Sequence, residues 1–386
     1  MKRDFYRFTL KHLAFLLSVL CIFLGFVARY TQPDYEEQVA RAAFQKLQRA
    51  EIDLEAAIKS DNLALARDAI ERGARPTDGF LQGRGDLLKI CVDSCQPAML
   101  ALLLEHDANP RQSVSADLVG HGPLLFAVAS SPQPLKARRE MLDLLLEHGV
   151  DINTVAGNKS IVMDIAIYHN DAPLCDLLRA YGVPYGPREM VVFNRLAELK
   201  EAVATNPEIV KERVAPVYAG KNPTLLGLAL KHGHAEVARF LIDAGAPLDT
   251  LEELGATPMH MAARGGNPDM IRLLAERGLD VNARDDWNDT PLTNVIWRTN
   301  IETVRTLLEV GADVNAEPVR GRTALYALLR KLTPERYEIV RLLIAAGADP
   351  TIADDQGVSA LDLARDYPPE VQTLLEKPTA AAARVE

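Results

Sequence analysis

Residues 257–282 read TPMHMAARGGNPDMIRLLAERGLDVN, and this stretch decides the fold. Thr257 is a favourable N-cap, and Pro258 suits the first helical position because its missing N–H would have no helical partner there. A Gly-Gly-Asn break ends this first helix, and a second helix over residues 269–276 follows, which Gly278 ends in a left-handed conformation. Two short helices cannot bury their apolar faces alone, so the unit requires copies of itself beside it.

The copies recur along the chain at a period of 33 residues. The openings TPMHMAA, TPLTNVI and RTALYAL and the closings DAGAPLD, ERGLDVN, EVGADVN and AAGADP together resemble the ankyrin repeat. The resemblance covers roughly residues 50–376 and implies an all-α solenoid of helix–turn–helix units. Successive units open at Thr224, Thr257, Thr290 and Thr323 and close at Gly245, Gly278, Gly311 and, after three inserted residues, Gly347.

An apolar segment without a charged residue, Leu13–Ala28, lies near the N-terminus. A membrane-spanning helix needs about 17–25 residues, and the flanking aromatic side chains can extend this segment to that length. Basic residues precede it and acidic residues follow it, so the positive-inside rule predicts a cytosolic N-terminus and an exported remainder. We interpret it as an uncleaved signal anchor, with a cleaved signal peptide or a buried helix as alternatives. The following GFVARYTQ lacks a small-x-small cleavage site, and Leu20 before Cys21 argues against a lipoprotein anchor.

These patterns predict six segments and a location. The repeat domain would lie in the periplasm for a bacterial inner-membrane protein, or in a lumen or outside the cell for a eukaryotic one. The segments are a cytosolic N-terminus (1–12), a transmembrane signal anchor (13–28), a juxtamembrane helix and linker (29–50), divergent ankyrin-like repeats (51–220), well-formed repeats with a C-terminal cap (221–376) and a disordered tail (377–386).

Composition limits the classes of partner. The net charge is -10, and because the first 30 residues are basic, the remainder is near -14. This balance argues against nucleic acid as the partner of the whole domain and leaves a local basic strip as an alternative. Cys91 and Cys95 are one helical turn apart, and a disulfide between them would be strained, so the chain is not a disulfide scaffold.

No catalytic motif is present: the sequence contains no HExxH, no phosphate-binding loop with its lysine, no GxSxG and no paired-cysteine metal spacing. His232 and His234 could bind a metal, but without a third ligand we predict two solvated turn side chains. His260 resembles the family histidine that hydrogen-bonds neighbouring repeat backbones, which implies a structural role. The sequence therefore predicts no enzyme activity, cofactor, metal site or small-molecule substrate.

Positions that vary from repeat to repeat are free to serve recognition. In ankyrin-repeat proteins these are the hairpin tips and the exposed ends of the first helices, which line a concave groove. An exposed tryptophan beside arginines is typical of a binding hot spot, although Trp297 could instead cover the next repeat and the basic row could be a solvated face. The implied partner-binding residues are Trp287, Trp297, Arg298, Arg264, Arg330, Lys331, Lys231 and Arg320.

The leading functional hypothesis is a non-enzymatic, membrane-tethered scaffold that binds a protein partner through this groove. The alternative is a regulatory or inhibitory, immunity-type module for a neighbouring enzyme or toxin. A third hypothesis is a hydrolase or redox enzyme with an unrecognised site in residues 79–220. A repeat architecture does not identify its partner, because ankyrin repeats serve many unrelated ones.

Overall fold

The computed structural model describes residues 34–76, 87–111, 113–116, 120–156, 161–214, 222–298, 300–318 and 321–376. Within these ranges, no helix is long and apolar enough to cross a membrane. The predicted signal anchor, Leu13–Ala28, lies outside the described residues, as do the predicted cytosolic N-terminus and the C-terminal tail.

The chain forms two compact units, Met1–Ile165 and Ala166–Glu386. The helices of the first unit are α1 (Asp34–Lys59), α2 (Leu63–Glu71), α3 (Leu87–Asp93), α4 (Pro97–Glu105), α5 (Leu124–Ser130) and α6 (Leu135–Glu147), and the division falls inside α7 (Val162–Tyr168). The helices of the second unit are α8 (Ala172–Ala180), α9 (Pro187–Val192), α10 (Leu196–Thr205), α11 (Leu225–Lys231), α12 (Ala235–Asp243), α13 (Pro258–Gly265), α14 (Pro268–Glu276), α15 (Pro291–Val295), α16 (Ile301–Glu309), α17 (Ala324–Leu329), α18 (Pro334–Ala345), α19 (Ala360–Ala364) and α20 (Pro369–Glu376).

Helix pairs dominate the first unit, as the repeat pattern predicts, but two features differ from the expectation. Helix α1 runs without a break through residue 50, where the pattern placed the end of a linker. A two-stranded antiparallel hairpin, β1 (Ser113–Ala116) and β2 (Gly120–Pro123), interrupts an otherwise α-helical architecture. Backbone hydrogen bonds pair only four residues of each strand in this hairpin. A strand of this length is too short to show a clear alternation of polar and apolar residues, so the sequence does not predict it.

Hydroxyl caps start the first helices of the second unit. The Thr224 side chain accepts a hydrogen bond from the Gly227 N–H, and Thr290, Thr323 and Ser359 cap their helices in the same way. Four consecutive second helices, α12, α14, α16 and α18, are each followed by a left-handed glycine, which carries no Cβ penalty, as at Gly278 with φ +83°. The predicted hydroxyl caps are therefore confirmed at Thr224, Thr290 and Thr323, and the glycine stop is confirmed at Gly278. Thr257 occupies the N-cap position as predicted, but its hydroxyl does not cap the helix and lies 2.9 Å from the Nδ1 of His260.

Two rows of helices form the second unit. The first helices of consecutive repeats, α9, α11, α13 and α15, pack one against the next, and the second helices, α12, α14, α16, α18 and α20, do the same. We call these the first-helix row and the second-helix row. One continuous hydrophobic core fills the space between them, from Val191 to Leu375. This arrangement satisfies the requirement that no repeat can bury its apolar faces alone.

Asparagine side chains fasten consecutive repeats to each other at the closing turns. The Asn282 amide donates to the Gly311 carbonyl at 3.1 Å and accepts from the Asp313 N–H at 2.7 Å. Asn315 makes the same two bonds, to Gly347 at 3.2 Å and from Asp349 at 2.8 Å. These residues recur at the repeat period because each one bridges to the following repeat, in addition to shaping its own turn.

The position three residues after each capping hydroxyl changes from repeat to repeat. His260 occupies it once: its Nδ1 accepts a hydrogen bond from the Thr257 N–H at 3.2 Å, and its Nε2 lies 3.0 Å from the Asp289 carbonyl of the next repeat. Burial lowers the pKa of His260, so the neutral imidazole donates from Nε2 and bridges the two repeats. The predicted structural role of His260 is thus confirmed by its geometry.

In one repeat this position is Gly227, and the side chain of Glu252, from the following tip segment, fills the space beside it. The buried Glu252 carboxylate accepts from the Thr224 hydroxyl at 2.6 Å and from the Thr224 N–H at 3.2 Å. A Cβ on Gly227 would lie 2.6 Å from Glu252 Cδ, so a larger residue there would displace the carboxylate from its position beside Thr224. Arg213 approaches the same carboxylate at 3.9 Å. Gly227 and Glu252 are therefore a matched pair.

Candidate functional site

The candidate site is the groove, which we define as the surface between the ends of the first helices and the tip segments 251–256, 284–289, 317–318 and 321–322. The structure places most of the sequence-predicted contacts at or just after the ends of the first helices. Lys231 ends α11, Arg264 precedes the last residue of α13, Arg298 ends a 3₁₀ turn after α15, and Arg330 and Lys331 follow α17. The backbone of Trp297 lies in the same 3₁₀ turn, whereas its ring and all of Arg320 fall outside what the structure describes.

Trp287 lies at a tip whose backbone is held in place by a buried carboxylate. Its side chain is 55% exposed, the largest exposure among the aromatic residues described in the second unit. The buried Asp285 carboxylate accepts the N–H groups of Trp287 at 2.9 Å and of Asp289 at 3.0 Å. Two backbone N–H groups of the turn thus bind one carboxylate and close the turn, so the exposed indole stands on a rigid base. Rigidity limits the conformational entropy lost when a partner covers the ring.

Arg264 is committed to the network beneath this tip. Its Nε donates to the Asn294 side-chain oxygen at 2.8 Å, and the Asn294 amide donates to Asp285 at 3.3 Å. The guanidinium is half-buried, and this burial lowers its pKa, although the nearby Asp285 opposes the effect. Arg264 therefore supports the tip from within the protein, and its predicted direct contact with a partner stays a prediction.

A pocket of about 270 Å³ lies between two neighbouring repeats of the groove. This is just below the about 300–1,000 Å³ that small-molecule sites usually occupy, and it suits one or two side chains of a bound protein. Trp287 and Arg330, predicted independently as contacts, both line it. The full lining is Trp287, Ile296, Pro318 and Ala327 on the apolar side and Asp289, Thr293, Arg322 and Arg330 on the polar side.

The charged residues of the pocket differ in how far they are already paired. Asp289 accepts from the Thr293 hydroxyl at 3.1 Å, but burial dominates and raises the pKa of Asp289. Arg322 lies 3.5 Å from Asp354 and faces the Tyr326 ring. Arg330 is exposed and has no carboxylate partner in the part of the chain that the structure describes. The pocket thus offers one unneutralised cation beside an apolar wall.

The neighbouring tip adds a second apolar contribution. Leu254 has φ +58°, a conformation that residues other than glycine rarely adopt, and it is 38% exposed. Its carbonyl accepts the Asp286 N–H at 2.8 Å, which joins this tip to the one that carries Trp287. Strained residues of this kind cluster at binding sites. Its left-handed backbone could not be read from the sequence, because glycine follows it at 255 and would be the expected residue for such a conformation.

The other predicted positions lie apart from the pocket. Arg298 lines a separate depression of about 980 Å³ with Arg305 and Arg341 of the second-helix row. Gly265, in a register position that the family leaves free for recognition, is instead a packing residue: a Cβ there would collide with the Leu230 carbonyl oxygen of the preceding first helix. Recognition along the groove therefore depends on side chains of the other repeats.

The prediction of solvated turn histidines at 232 and 234 is wrong. Both rings are partly buried and stacked on each other with centroids 5.8 Å apart, and His234 Nε2 lies 2.9 Å from the Val192 carbonyl. Burial, helped by His234 and Lys231, lowers the pKa of His232 to about 4. The turn is shielded because the preceding repeat packs directly against it, a contact that the turn's own sequence does not reveal. No group of three or more His, Cys, Asp or Glu side chains that could hold a metal ion occurs within the described ranges.

Comparison with known families agrees with this geometry. A sequence model described as ankyrin repeats (3 copies) matches residues 199–285 and 280–354. Ankyrin repeats are therefore present in this part of the chain, which contains Trp287, Arg330 and the pocket between them. No curated protein matches the sequence.

Proposed function

We propose that this protein is a membrane-tethered, non-enzymatic scaffold that holds a segment of a protein partner in the groove. Ankyrin repeats suggest a protein–protein interaction module. The single observation that carries the more specific proposal is the pocket shared by the exposed Trp287 and by Arg330, which has no carboxylate partner among the described residues. Tryptophan and arginine are the residue types that most often dominate binding energy, and hot spots lie in pockets that a partner can desolvate.

The polar groups around the pocket support binding in preference to catalysis. Asp285, Thr293 and Asn294 are bonded to one another or to the tip backbone, so they hold a shape. A general base or nucleophile would need to face a reacting group with a free lone pair. The tether rests on the sequence of Leu13–Ala28, which predicts a repeat domain in the periplasm, or in a lumen or outside the cell for a eukaryotic protein.

Site-specific photo-crosslinking tests the binding surface. The full-length chain is produced in cells with benzoylphenylalanine in place of Trp287 or, as a matched control, in place of Arg239, an exposed residue of α12 in the second-helix row. We expect a discrete protein adduct from position 287 and none from position 239. No adduct at 287, or the same adducts at both positions, would contradict a partner held at the pocket.

Fractionation tests the tether separately. The full-length chain should remain in the membrane fraction after a carbonate wash, because a spanning helix is not released by breaking electrostatic contacts. Recovery of soluble protein that begins near residue 30 would instead identify a cleaved signal peptide.

A further inference from the structure

We infer that the partner segment is basic and amphipathic, with bulky apolar side chains next to lysines or arginines, and that it binds two neighbouring tips of the groove. This inference rests on the proposed function, because it specifies the chemistry of the segment that the groove would hold. We call its binding surface the tip surface and define it by the exposed side chains of Leu251, Glu253, Leu254, Asp286 and Trp287. The two tips combine exposed apolar side chains, an excess of negative charge and a fixed backbone.

Exposed apolar side chains concentrate on these tips. Among the described residues of the second unit, four large hydrophobic side chains are exposed, and Leu251, Leu254 and Trp287 are three of them. Leu251 also lines an apolar recess of about 150 Å³ between the two repeats, together with Leu248 and Leu279. This is well below the about 300–1,000 Å³ of small-molecule sites, so it suits a side chain of a bound protein. Contiguous exposed apolar residues of this kind mark a surface that another molecule covers.

The same tips are strongly acidic. Residues 251–256 and 284–289 contain five carboxylates and a single arginine. Glu253 and Asp286 are exposed and have no cationic partner among the described residues. Asp249 and Asp280, which line the recess, are also exposed and also lack a cationic partner in that part of the chain. A basic segment complements these carboxylates, whereas an acidic segment would be repelled by them.

The cations near the tip surface do not cancel this charge. Arg284, the single arginine of the two tips, donates to two main-chain carbonyls at 2.8 Å and 2.9 Å. Arg330 belongs to the following repeat and lines the pocket with Trp287, where it would repel a basic side chain. The lysines or arginines of the segment therefore lie beside Glu253 and Asp286, and an apolar side chain enters the pocket.

The two tips are joined before a partner arrives. The Leu254 carbonyl accepts the Asp286 N–H at 2.8 Å, and a Cβ on Gly255 would collide with the Asp286 carboxylate. Leu254 has a left-handed backbone, in which asparagine would be less strained, and its side chain is exposed. A leucine here is unfavourable for folding, which is typical of a residue retained for binding.

A second copy of this chain fits the tip surface poorly. A face-to-face pair of copies would place the same patch on both sides of the interface. Glu253 and Asp286 would then face the same carboxylates of the other copy, and like charges across an interface oppose association.

Fluorescence polarisation with three labelled peptides tests the inference on the purified full-length chain. The probe repeats Lys-Leu-Ser-Lys three times. One control peptide has glutamate in place of every lysine, and the other has serine in place of every leucine. The probe should bind at least about tenfold more tightly than either control, because only the probe supplies both positive charge and apolar side chains.

Matched variants locate the binding. Glu253→Lys with Asp286→Lys should lose at least about tenfold in affinity for the probe and should gain affinity for the glutamate peptide. Glu201→Lys with Glu276→Lys reverses two exposed carboxylates of α10 and α14 that lack a cationic partner among the described residues, and it should change neither affinity. Leu254→Asn should weaken probe binding at least about threefold without lowering the thermal midpoint, because asparagine tolerates the left-handed conformation.

Four outcomes would overturn the inference. The glutamate peptide could bind as tightly as the probe, or the variant of Glu201 and Glu276 could lose as much affinity as the variant of the tips. Self-association of the full-length chain that the tip variant abolishes would identify a second copy as the occupant. No binding of any peptide, with the crosslinked adduct at position 287 still formed, would leave the proposed scaffold function standing and refute the basic segment alone. Circular dichroism of each variant distinguishes lost binding from lost folding, and Glu253→Gln with Asp286→Asn should show a smaller loss in the same direction.

Discussion

Replacing Gly227 by alanine should destabilise the protein, although the same change normally stabilises a helix. In the interior of a helix, alanine is favoured over glycine by about 0.5–1 kcal/mol. Gly227 lies in α11, and the Glu252 carboxylate occupies the space where a side chain of residue 227 would lie. The new methyl group would meet Glu252 Cδ at 2.6 Å, which no side-chain pair tolerates.

The magnitude follows from the bonds that Glu252 would lose. It accepts the Thr224 hydroxyl at 2.6 Å and the Thr224 N–H at 3.2 Å, and hydrogen bonds to a charged group contribute about 1.5–3 kcal/mol each. Losing both and gaining the helix preference of alanine gives a net loss of about 2–5 kcal/mol in the free energy of unfolding. In a Glu252→Ala background the obstacle is gone, so the same Gly227→Ala change should be neutral or stabilising by up to about 1 kcal/mol.

Hydrogen exchange measured by mass spectrometry is the appropriate assay, because repeat arrays can open locally. Peptides that cover residues 222–256 should lose protection from exchange in the Gly227→Ala variant. In the double variant, the same peptides should be at least as protected as in the single variant Glu252→Ala. A stabilising or neutral effect of Gly227→Ala in the wild-type background would refute the matched-pair interpretation. So would the same effect in both backgrounds.

Two further perturbations test how the repeats pack. Gly265→Ala would place a Cβ against the Leu230 carbonyl oxygen and should lower the free energy of unfolding by about 1–3 kcal/mol. The thermal midpoint should therefore fall. An unchanged midpoint would contradict the close approach of α13 to α11. The second concerns His232, whose pKa of about 4 lies below the ordinary 6.5, so between pH 6.5 and pH 4 the unfolded chain binds more protons than the folded one. The free energy of unfolding should therefore fall as the pH falls through this window, by less than about 3 kcal/mol because the ring is partly exposed. Urea titrations across this range should show a shallower dependence for His232→Gln, and an unchanged slope would exclude His232 as a cause.

Features that repeat could be predicted from the sequence. The capping threonines Thr224, Thr290 and Thr323 and the left-handed Gly278 act through their own local backbone, so their residue type and spacing suffice. The exposed position of Trp287 was also predicted, because it varies where the architecture does not require a particular residue. Residues that recur at the repeat period can thus be assigned a structural role, and positions that vary can be assigned to the surface, without knowledge of tertiary contacts.

Features that arise between two different repeats could not be predicted in this way. Arg264 reaches Asn294, and Glu252 reaches Thr224, across about one repeat, and neither pair recurs in the part of the array that the structure describes. Their contacts depend on which side chains happen to face each other once the repeats have stacked. The partial burial of His232 has the same origin. The contribution of Arg264 to the tip network therefore became visible only in the structure, whereas its charge and register were evident from the sequence.

The most direct test of the central claim compares binding and stability in a single variant, Trp287→Ala. The partner recovered by crosslinking is purified and titrated calorimetrically against the wild-type chain and the variant, and the thermal midpoint of each chain is measured alongside. Because the ring is 55% exposed, its removal should change stability by no more than about 0.5 kcal/mol. Because it lines the pocket, its removal should cost at least about 2 kcal/mol of binding, or roughly thirtyfold in affinity. Unchanged affinity, or losses of similar size in binding and stability, would contradict a groove that recognises its partner through Trp287.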